Sequence, residues 1–314
     1  MEKRQLGQSP LRVAPLCLGG NVFGWTADEA TSHRLLDGFV AGGFNFIDTA
    51  DVYSRWADGH QGGESERVIG SWLKKRGKRD DVIIATKVGK DMGGDKKGLR
   101  KAYVERAVDA SLQRLQTDYI DLYQSHEDDL DLPVEEPLET FGALIKAGKV
   151  RAIGASNFGA SRLDAALSAA KKNGLPRYES LQPHYNMMER KEFEADLAPV
   201  SRKHGLGVMP YFALASGFLT GKYRSEKDFG KSVRGEDAQQ YLNPRGRAVL
   251  AALDDVAARH NATPAQVALA WLMTRVTAPI ASATSIAQLN DIMKSAALKL
   301  SEGDLAELDK ASAQ

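Results

Sequence analysis

The sequence predicts a (β/α)8 barrel preceded by an N-terminal β-hairpin. Three observations carry this. Short apolar runs alternate with segments of helical period along the whole chain. Eight such runs can be counted, and eight βα units in parallel order close most naturally into a barrel. Seven of the eight end directly on a polar residue or a glycine turn, as strands do when they open onto a functional mouth. The 314 residues are expected to form one domain, 1–314, and a composition 43% hydrophobic and 26% charged supplies an ample core.

Taken in order, Lys3–Leu6 and Leu11–Val13 flank the turn GQSP and read as a hairpin covering one end of the fold. Leu16–Leu18 is the first barrel strand and runs into Gly19-Gly20-Asn21; Asp28 then opens a helix through Val40 that stops at Gly42-Gly43. Strand Phe44–Ile47 precedes a polar loop, Ser54–Gly63, and helix Glu64–Lys75. Strand Val82–Thr86 is followed by helix Tyr103–Leu115, strand Tyr119–Gln124 by helix Val134–Ala147, and strand Val150–Gly154 by helix Ser161–Lys172. The last strands are Ser180–Gln182, Gly207–Met209 and Ala278–Ala281, with helices Glu189–Lys203 and Pro264–Arg275 between them. Arg224–Gly246 is rich in Gly, Asp, Arg and Gln without clear periodicity, and reads as an insertion after the seventh strand; loops of that length are usually functional.

Composition limits the partners. Lys+Arg 42 against Asp+Glu 41 leaves a net charge of +1, which gives no footprint for nucleic acid or an anionic membrane. No apolar run approaches the roughly 20 residues that span a bilayer, and Arg12 and Pro15 interrupt the apolar N-terminal region, unlike a secretory signal. Cys17 stands alone and fits a reducing, cytoplasmic setting. No sequence feature specifies an oligomeric state. G-x-G-x-x-G after a strand and G-x-x-x-x-G-K-[ST] are both missing, so neither a Rossmann site nor a P-loop is written here. HEDDLD (126–131) lacks a second His at ligand spacing and is expected to hold no metal.

The stretch GFNFIDTADVY (43–53) sets Asp48 and Tyr53 at the C-terminal end of a buried strand. Other strands end on Lys87, His126, Asn157, Gln182 and Tyr211, and in a barrel these ends converge although they are far apart in sequence. An acid, a base, an imidazole, two phenols and two amides then surround one mouth. A Lys87 held by Asp48 is expected to favour the Tyr53 phenolate and draw its pKa down from about 10 toward the working range, with His126 directing a substrate carbonyl oxygen to the hydroxyl. Phe23, Trp25 and Trp56 lie on the first two strand-to-helix loops and are expected to give the entrance an aromatic lining, with Tyr53 and His126 deeper in the substrate pocket.

Asp48, Tyr53, Lys87 and His126, in the contexts FIDTADVY, IATKVG and DLYQSH, resemble the catalytic tetrad of the aldo-keto reductases. GASNF (154–158), LQPHYN (181–186), GFLTGKYR (217–224) and SATSIAQL (282–289) are similar to that family's cofactor segments, in order, so the resemblance covers nearly the whole chain. It implies reduction of an aldehyde, ketone or sugar by a nicotinamide cofactor, NADP(H) with NAD(H) as the other possibility, and a small-molecule carbonyl as partner. By the same resemblance Ser156, Asn157 and Gln182 hold the nicotinamide carboxamide, Tyr211 stacks on the ring, and Leu214, Ser216 and Lys222 meet the pyrophosphate. Gly20 and Asn21 approach the cofactor through backbone, and Asp48 belongs to the same site. Ser282, Thr284, Ser285 and Gln288 stand where relatives that prefer NADP often carry Lys or Arg for the 2′-phosphate, and Asp291 would face the adenine amino group. Arg234, in the long loop, adds a charge if that loop closes over the pyrophosphate.

The chain departs from the family where many members have W-S-P-L or Y-S-P-L: Tyr211-Phe212-Ala213-Leu214 lacks the serine contact at Phe212. The resemblance extends to the potassium-channel β-subunits of the family, so a cofactor-binding regulatory subunit acting as a redox sensor is the alternative to a reductase.

Overall fold

The computed structural model describes residues 1–314. Strands β1 (Arg4–Gln5) and β2 (Arg12–Val13) pair antiparallel as the expected hairpin. The barrel strands are β3 (Cys17–Gly19), β4 (Phe46–Asp48), β5 (Ile83–Val88), β6 (Ile120–Ser125), β7 (Val150–Ser156), β8 (Tyr178–Gln182), β9 (Gly207–Val208) and β10 (Ile280–Ala281). They lie parallel in the order β10-β3-β4-β5-β6-β7-β8-β9. Backbone bonds from Ala278 N to the Val208 carbonyl (3.2 Å) and from Ile280 N to the Pro210 carbonyl (2.9 Å) join the two ends. The sheet is thus closed into a (β/α)8 barrel.

The two-residue period of a strand decides what faces the axis. Stepping by two toward the C-terminal ends gives Phe46 then Asp48, Ala85 then Lys87, Leu122 then Gln124, and Met209 then Tyr211. The first member of each pair belongs to an apolar cluster with Cys17, Ala152 and Ile280 inside the barrel. Leu6, Leu11 and Val13 from the hairpin complete that cluster and plug the N-terminal end. Gly7 presses the hairpin onto β8: at φ 60° it lies so close that a Cβ would stand 2.1 Å from the Glu179 carbonyl oxygen, a contact only glycine tolerates. The alternate strand positions, among them Ile47, Ile84, Tyr123 and Ile153, join a second and larger core between sheet and helices. The polar second members are therefore confined to the one mouth left unplugged.

Helix ends follow the sequence closely where capping chemistry is explicit. Asp28 caps Glu29–Ala41 by accepting from Thr31 N at 2.7 Å, and Gly77 ends Glu64–Arg76 in the left-handed region. Three expectations need correction. Glu189–Lys203 is not one regular helix: Phe193–Leu197 is a π turn, with Ala198 N bonded to the Phe193 carbonyl, ahead of Ala198–His204. Pro199 has no N–H to continue an α ladder, which accounts for the widened turn. Arg224–Gly246 is not unstructured, since it contains a 3-10 turn, Glu226–Lys231, with a Ser225–Asp228 capping box, and a short helix, Gly235–Gln239. Finally, a helix absent from the sequence reading, Pro244–His260, begins within the last three residues of that stretch; Asn243 caps it, and Val249, Leu250, Leu253 and Val256 face the core.

No helix is long and apolar enough to cross a membrane.

Candidate active site

At the open mouth, the Lys87 ammonium uses all three of its protons on protein acceptors: Asp48 Oδ2 at 2.7 Å, the Thr49 carbonyl at 2.8 Å and the Tyr53 oxygen at 2.8 Å. The Tyr53 hydroxyl in turn donates to Asp48 Oδ2 at 3.1 Å. The other Asp48 oxygen accepts from Gln182 Nε2 at 2.9 Å and Gln124 Nε2 at 3.3 Å. Asp48, Lys87, Gln124 and Gln182 are all buried. The carboxylate is thus saturated by four donors from four strands or their loops, and it orients Lys87 and Tyr53 against each other.

His126 follows β6 directly, its backbone N–H bonded to the Val88 carbonyl at 2.8 Å. Its ring lies edge-on to Tyr53 with centroids 6.1 Å apart. Nδ1 is buried without a protein partner, so that atom is not committed to holding the fold. Burial, reinforced by the positive charges of Lys87 and Lys90, holds the imidazole well below its ordinary pKa, and it is neutral at pH 7. A neutral imidazole can donate one N–H to a carbonyl oxygen.

The expected lowering of the Tyr53 pKa is corrected by the geometry. Burial first, and then the adjacent Asp48 carboxylate that accepts its proton, push the phenol well above its ordinary value. Lys87 is itself lowered by burial, against the pull of Asp48. Tyr53 therefore stays a neutral O–H across the physiological range.

The amides and aromatics expected at the cofactor side form a connected chain. Ser156 donates to the Gln182 carbonyl at 2.9 Å, and Asn157 Nδ2 donates to the His126 carbonyl at 2.9 Å. Tyr211 donates through its hydroxyl to Asn157 Oδ1 at 2.8 Å. Asn157 holds φ 54°, a left-handed conformation that asparagine tolerates better than most residues. One face of Tyr211 is covered by His184, stacked at 5.3 Å and 11°, while the ring remains partly exposed. Phe212 is 42% exposed at φ 53° and packs edge-on to both rings.

Beyond Leu214, three successive residues have positive φ: Ala215 47°, Ser216 54° and Gly217 89°. The Ala215 and Gly217 N–H groups donate to the Phe212 and Leu214 carbonyls at 2.8 and 2.9 Å, so the run is a tight turn held by its own backbone. Lys222 stands beside it, its Nζ 3.1 Å from where a Gly217 Cβ would be. At the last strand Ser282 donates to Asn21 Oδ1 at 2.5 Å, joining two candidate residues from opposite ends of the chain. Ser285 caps helix Ile286–Lys294. The Gln288 carbonyl oxygen accepts from Thr284 N and Oγ1 at 2.8 and 3.0 Å, which turns its NH2 outward as a donor.

Phe23 lies elsewhere than foreseen, and Gly20, Asp291 and Arg234 have neighbours within the protein. Phe23 is fully buried in the larger core and does not line the entrance; its apolar ring is worth more to the core than to a wet rim. Gly20 has no free space beside it, since a Cβ would meet Ser65 Oγ at 2.8 Å and the Asp48 carbonyl at 3.0 Å; its smallness serves packing of the loop beneath Asp48. Asp291 accepts from Thr263 Oγ1 at 3.0 Å and from Gln266 Nε2 at 2.7 Å, and so ties two helices together. Arg234 places its guanidinium 5.2 Å from the Trp25 ring centroid and 5.9 Å from that of Phe212. Trp25 and Trp56 do meet at the entrance, edge-on at 5.6 Å, with Trp56 5.9 Å from the Tyr53 ring and 48% exposed. Gln124 and Thr49, which complete the Asp48–Lys87 arrangement, were missed; Gln124 could have been found as the polar end of YIDLYQS, two residues past an inward Leu122.

A sequence model of the Aldo/keto reductase family matches residues 15–313. The chain belongs to that family. This aldo-keto reductase is 35% identical over 336 residues to the protein tas of Escherichia coli, covering 98% of this chain and 97% of that protein. It is 35% identical over 280 residues to the aldo-keto reductase YhdN of Bacillus subtilis, covering 87% and 80%. Norsolorinic acid reductase of Aspergillus flavus is 33% identical over 318 residues, covering 96% and 78%. The protein is an NAD(P)H-dependent oxidoreductase of carbonyl compounds.

Proposed function

We propose that this aldo-keto reductase reduces an aldehyde, ketone or sugar carbonyl to the alcohol, with NADP(H) preferred and Tyr53 as the proton donor. The observation that carries this reading is the Asp48–Lys87–Tyr53 triangle beside a neutral His126. A bound nicotinamide supplies the hydride that goes to the carbonyl carbon. The carbonyl oxygen accepts hydrogen bonds from the Tyr53 hydroxyl and a His126 ring N–H. As negative charge develops on that oxygen, the Tyr53 proton turns from its 3.1 Å contact with Asp48 and moves to it. Lys87 Nζ, 2.8 Å away, bonds the phenolate left behind, and Asp48 keeps the ammonium oriented throughout.

For the cofactor, Gln182 has its NH2 committed to Asp48 and retains its carbonyl oxygen for the carboxamide NH2, alongside Ser156 and Asn157. Tyr211, backed by His184, carries the nicotinamide ring. Leu214, Ser216 and Lys222 receive the pyrophosphate in the left-handed turn. Ser282, Thr284, Ser285 and the outward NH2 of Gln288 receive the 2′-phosphate at the start of helix Ile286–Lys294, where backbone N–H groups and the helix dipole favour an anion. A free 2′-hydroxyl is usually claimed by a carboxylate, and Asp291 is already engaged by Thr263 and Gln266. That supports NADP(H) over NAD(H), with modest discrimination because this segment has no guanidinium. The chain acts as one catalytic unit in a reducing cytoplasm, where buried Cys17 stays a thiol.

Titration with NADPH and NADH separately by fluorescence, followed by a screen of aldehydes, ketones and sugars for cofactor oxidation, tests the reading. Tighter NADPH binding and turnover on at least one carbonyl class are expected. Tighter NADH binding rejects the preference, and NADPH binding without turnover on any carbonyl favours the regulatory subunit.

A further inference from the structure

Two barrel strands continue past their regular ends on the cofactor side, and each carries a ring there. His184 stands two residues beyond Gln182 and Tyr211 two beyond Met209, so both keep the strand period. A parallel bridge, with Tyr211 N bonded to the Pro183 carbonyl at 3.0 Å, sets them side by side. The backbone thus stacks the imidazole on the phenol, with 5.3 Å between centroids and 11° between planes. The far end of Tyr211 is fixed by the 2.8 Å bond from its hydroxyl to Asn157 Oδ1. A charge on His184 is therefore separated from whatever lies on the other face of Tyr211 by one aromatic ring.

His184 can take such a charge. Asn186 is locked in orientation, because its Oδ1 accepts from Met188 N at 2.7 Å and Glu189 N at 3.1 Å while its Nδ2 donates to the Phe212 carbonyl at 3.0 Å. The same Nδ2 lies 3.4 Å from His184 Nε2. Nε2 is then the acceptor, and the neutral ring carries its hydrogen on Nδ1. Unlike the enclosed His126, His184 borders an open cavity of about 590 Å³, whose charged residues are Glu189, Lys191, Glu192 and Asp196. Phe212, edge-on at 5.5 Å, brings no charge from the other side. Partial burial draws the imidazole pKa below its ordinary value, and Glu189 and Glu192 oppose that shift. The ring is neutral at pH 7 and gains a proton as the solution becomes acid.

We propose that His184 is a positioning residue behind the cofactor ring, and that a proton on its imidazole weakens binding of NADP+, whose nicotinamide is a cation, while leaving NADPH, whose ring is neutral, nearly unaffected. The inference rests on the reading that Tyr211 carries the nicotinamide. A neutral imidazole supports Tyr211 and leaves the electron-rich phenol face to the positive ring. A protonated one draws on the same ring electrons from the opposite face and repels the oxidised nicotinamide through it. Acid therefore favours release of the oxidised cofactor, and by linkage NADP+ binding expels the proton.

The test is the ratio of the NADP+ to the NADPH dissociation constant, from rapid titrations of tryptophan fluorescence between about pH 5.5 and 7.5, the range in which a histidine changes charge. In the wild type the ratio is expected to rise about fivefold toward acid, the scale of two like charges roughly one Debye length apart in a partly screened site. Ionisation of the 2′-phosphate is common to both cofactors and cancels. His184→Gln cannot take the proton and gives a flat ratio at the neutral-pH value. His184→Arg stacks a permanent cation on Tyr211 and holds the raised ratio at every pH. A flat wild-type ratio, a slope that survives in His184→Gln, or a His184→Arg ratio equal to that of His184→Gln overturns the proposal. Tyr211→Leu separates it from the reading beneath. Weaker binding of both cofactors by Tyr211→Leu upholds Tyr211 as the nicotinamide support, and a flat wild-type ratio then defeats only the role of His184. Cofactor affinities and pH slope unchanged in Tyr211→Leu remove the support, and the inference falls with it.

Discussion

Replacing Lys87 with Met removes a buried cation and leaves its partner in place. Asp48 loses its 2.7 Å contact and keeps only Tyr53, Gln182 and Gln124, all neutral donors, around a carboxylate that is 1% exposed. Breaking one side of a buried ion pair typically costs ~3–5 kcal/mol, most of it from the stranded charge. Asp48→Asn strands Lys87 in the same way, though the Thr49 carbonyl and Tyr53 oxygen still accept from it. The double variant carries no buried charge at this point and is expected to recover much of the loss, with a coupling of about 1–3 kcal/mol of the kind neighbouring sites show. Turnover behaves differently. Without Lys87 nothing neutralises the Tyr53 phenolate, so both the Lys87→Met variant and the double variant fall about 10²-fold or more. Urea unfolding of the four proteins, beside NADPH-dependent reduction of one aldehyde, separates the two roles. Recovery of stability without recovery of rate is expected; recovery of both would show that Lys87 does no more than neutralise Asp48.

Asp51 carries a further pH dependence. Both its oxygens are buried without a hydrogen bond, and burial, with the nearby Glu66 carboxylate, pushes its pKa up to about 8. An unfolded Asp releases its proton near 3.9. Between those values the folded state binds one more proton, so stability is full below about pH 4 and is lost as pH rises toward 8, by up to ~1.4 kcal/mol per pH unit. Asp51→Asn should flatten that slope in chemical unfolding across pH 5 to 8; an unaltered slope excludes Asp51 as its source. Reduction itself should show no inflection near pH 6.5, because His126 is already neutral there and Tyr53 is still protonated; a rate that rises through 6.5 and becomes flat in His126→Gln would contradict the neutral imidazole. Trp56→Ala should raise KM for bulky aromatic carbonyls more than for small ones, since the ring is exposed beside Tyr53. Equal effects on both would make Trp56 a rim cover only.

The barrel was legible because its signals are local and repeated. Each strand is an apolar run that ends on a polar group, and the two-residue period carried Asp48, Lys87 and Gln182 to one mouth. What escaped depends on contacts between distant segments. Phe23 is adjacent in sequence to a loop that lines the entrance, yet nothing in GGNVFGW states that its ring turns inward while Trp25 turns out. The direction of the Tyr53 shift depends on how completely the site excludes water, and burial is a property of the whole fold. Helix Pro244–His260 was within reach: Asn243 followed by Pro244 is a start signal, and Val249, Leu250, Leu253 and Val256 repeat at helical spacing. The irregular stretch before it obscured both.

The central claim is that Tyr53 delivers the proton, and Tyr53→Phe tests it most directly. The substitution removes one hydroxyl and leaves Lys87 bonded to Asp48 and the Thr49 carbonyl. Single-turnover oxidation of bound NADPH by an aldehyde, measured beside NADPH affinity, should show a rate at least about 10²-fold lower with affinity within about twofold of wild type. Wild-type turnover by Tyr53→Phe at unchanged affinity would contradict the account.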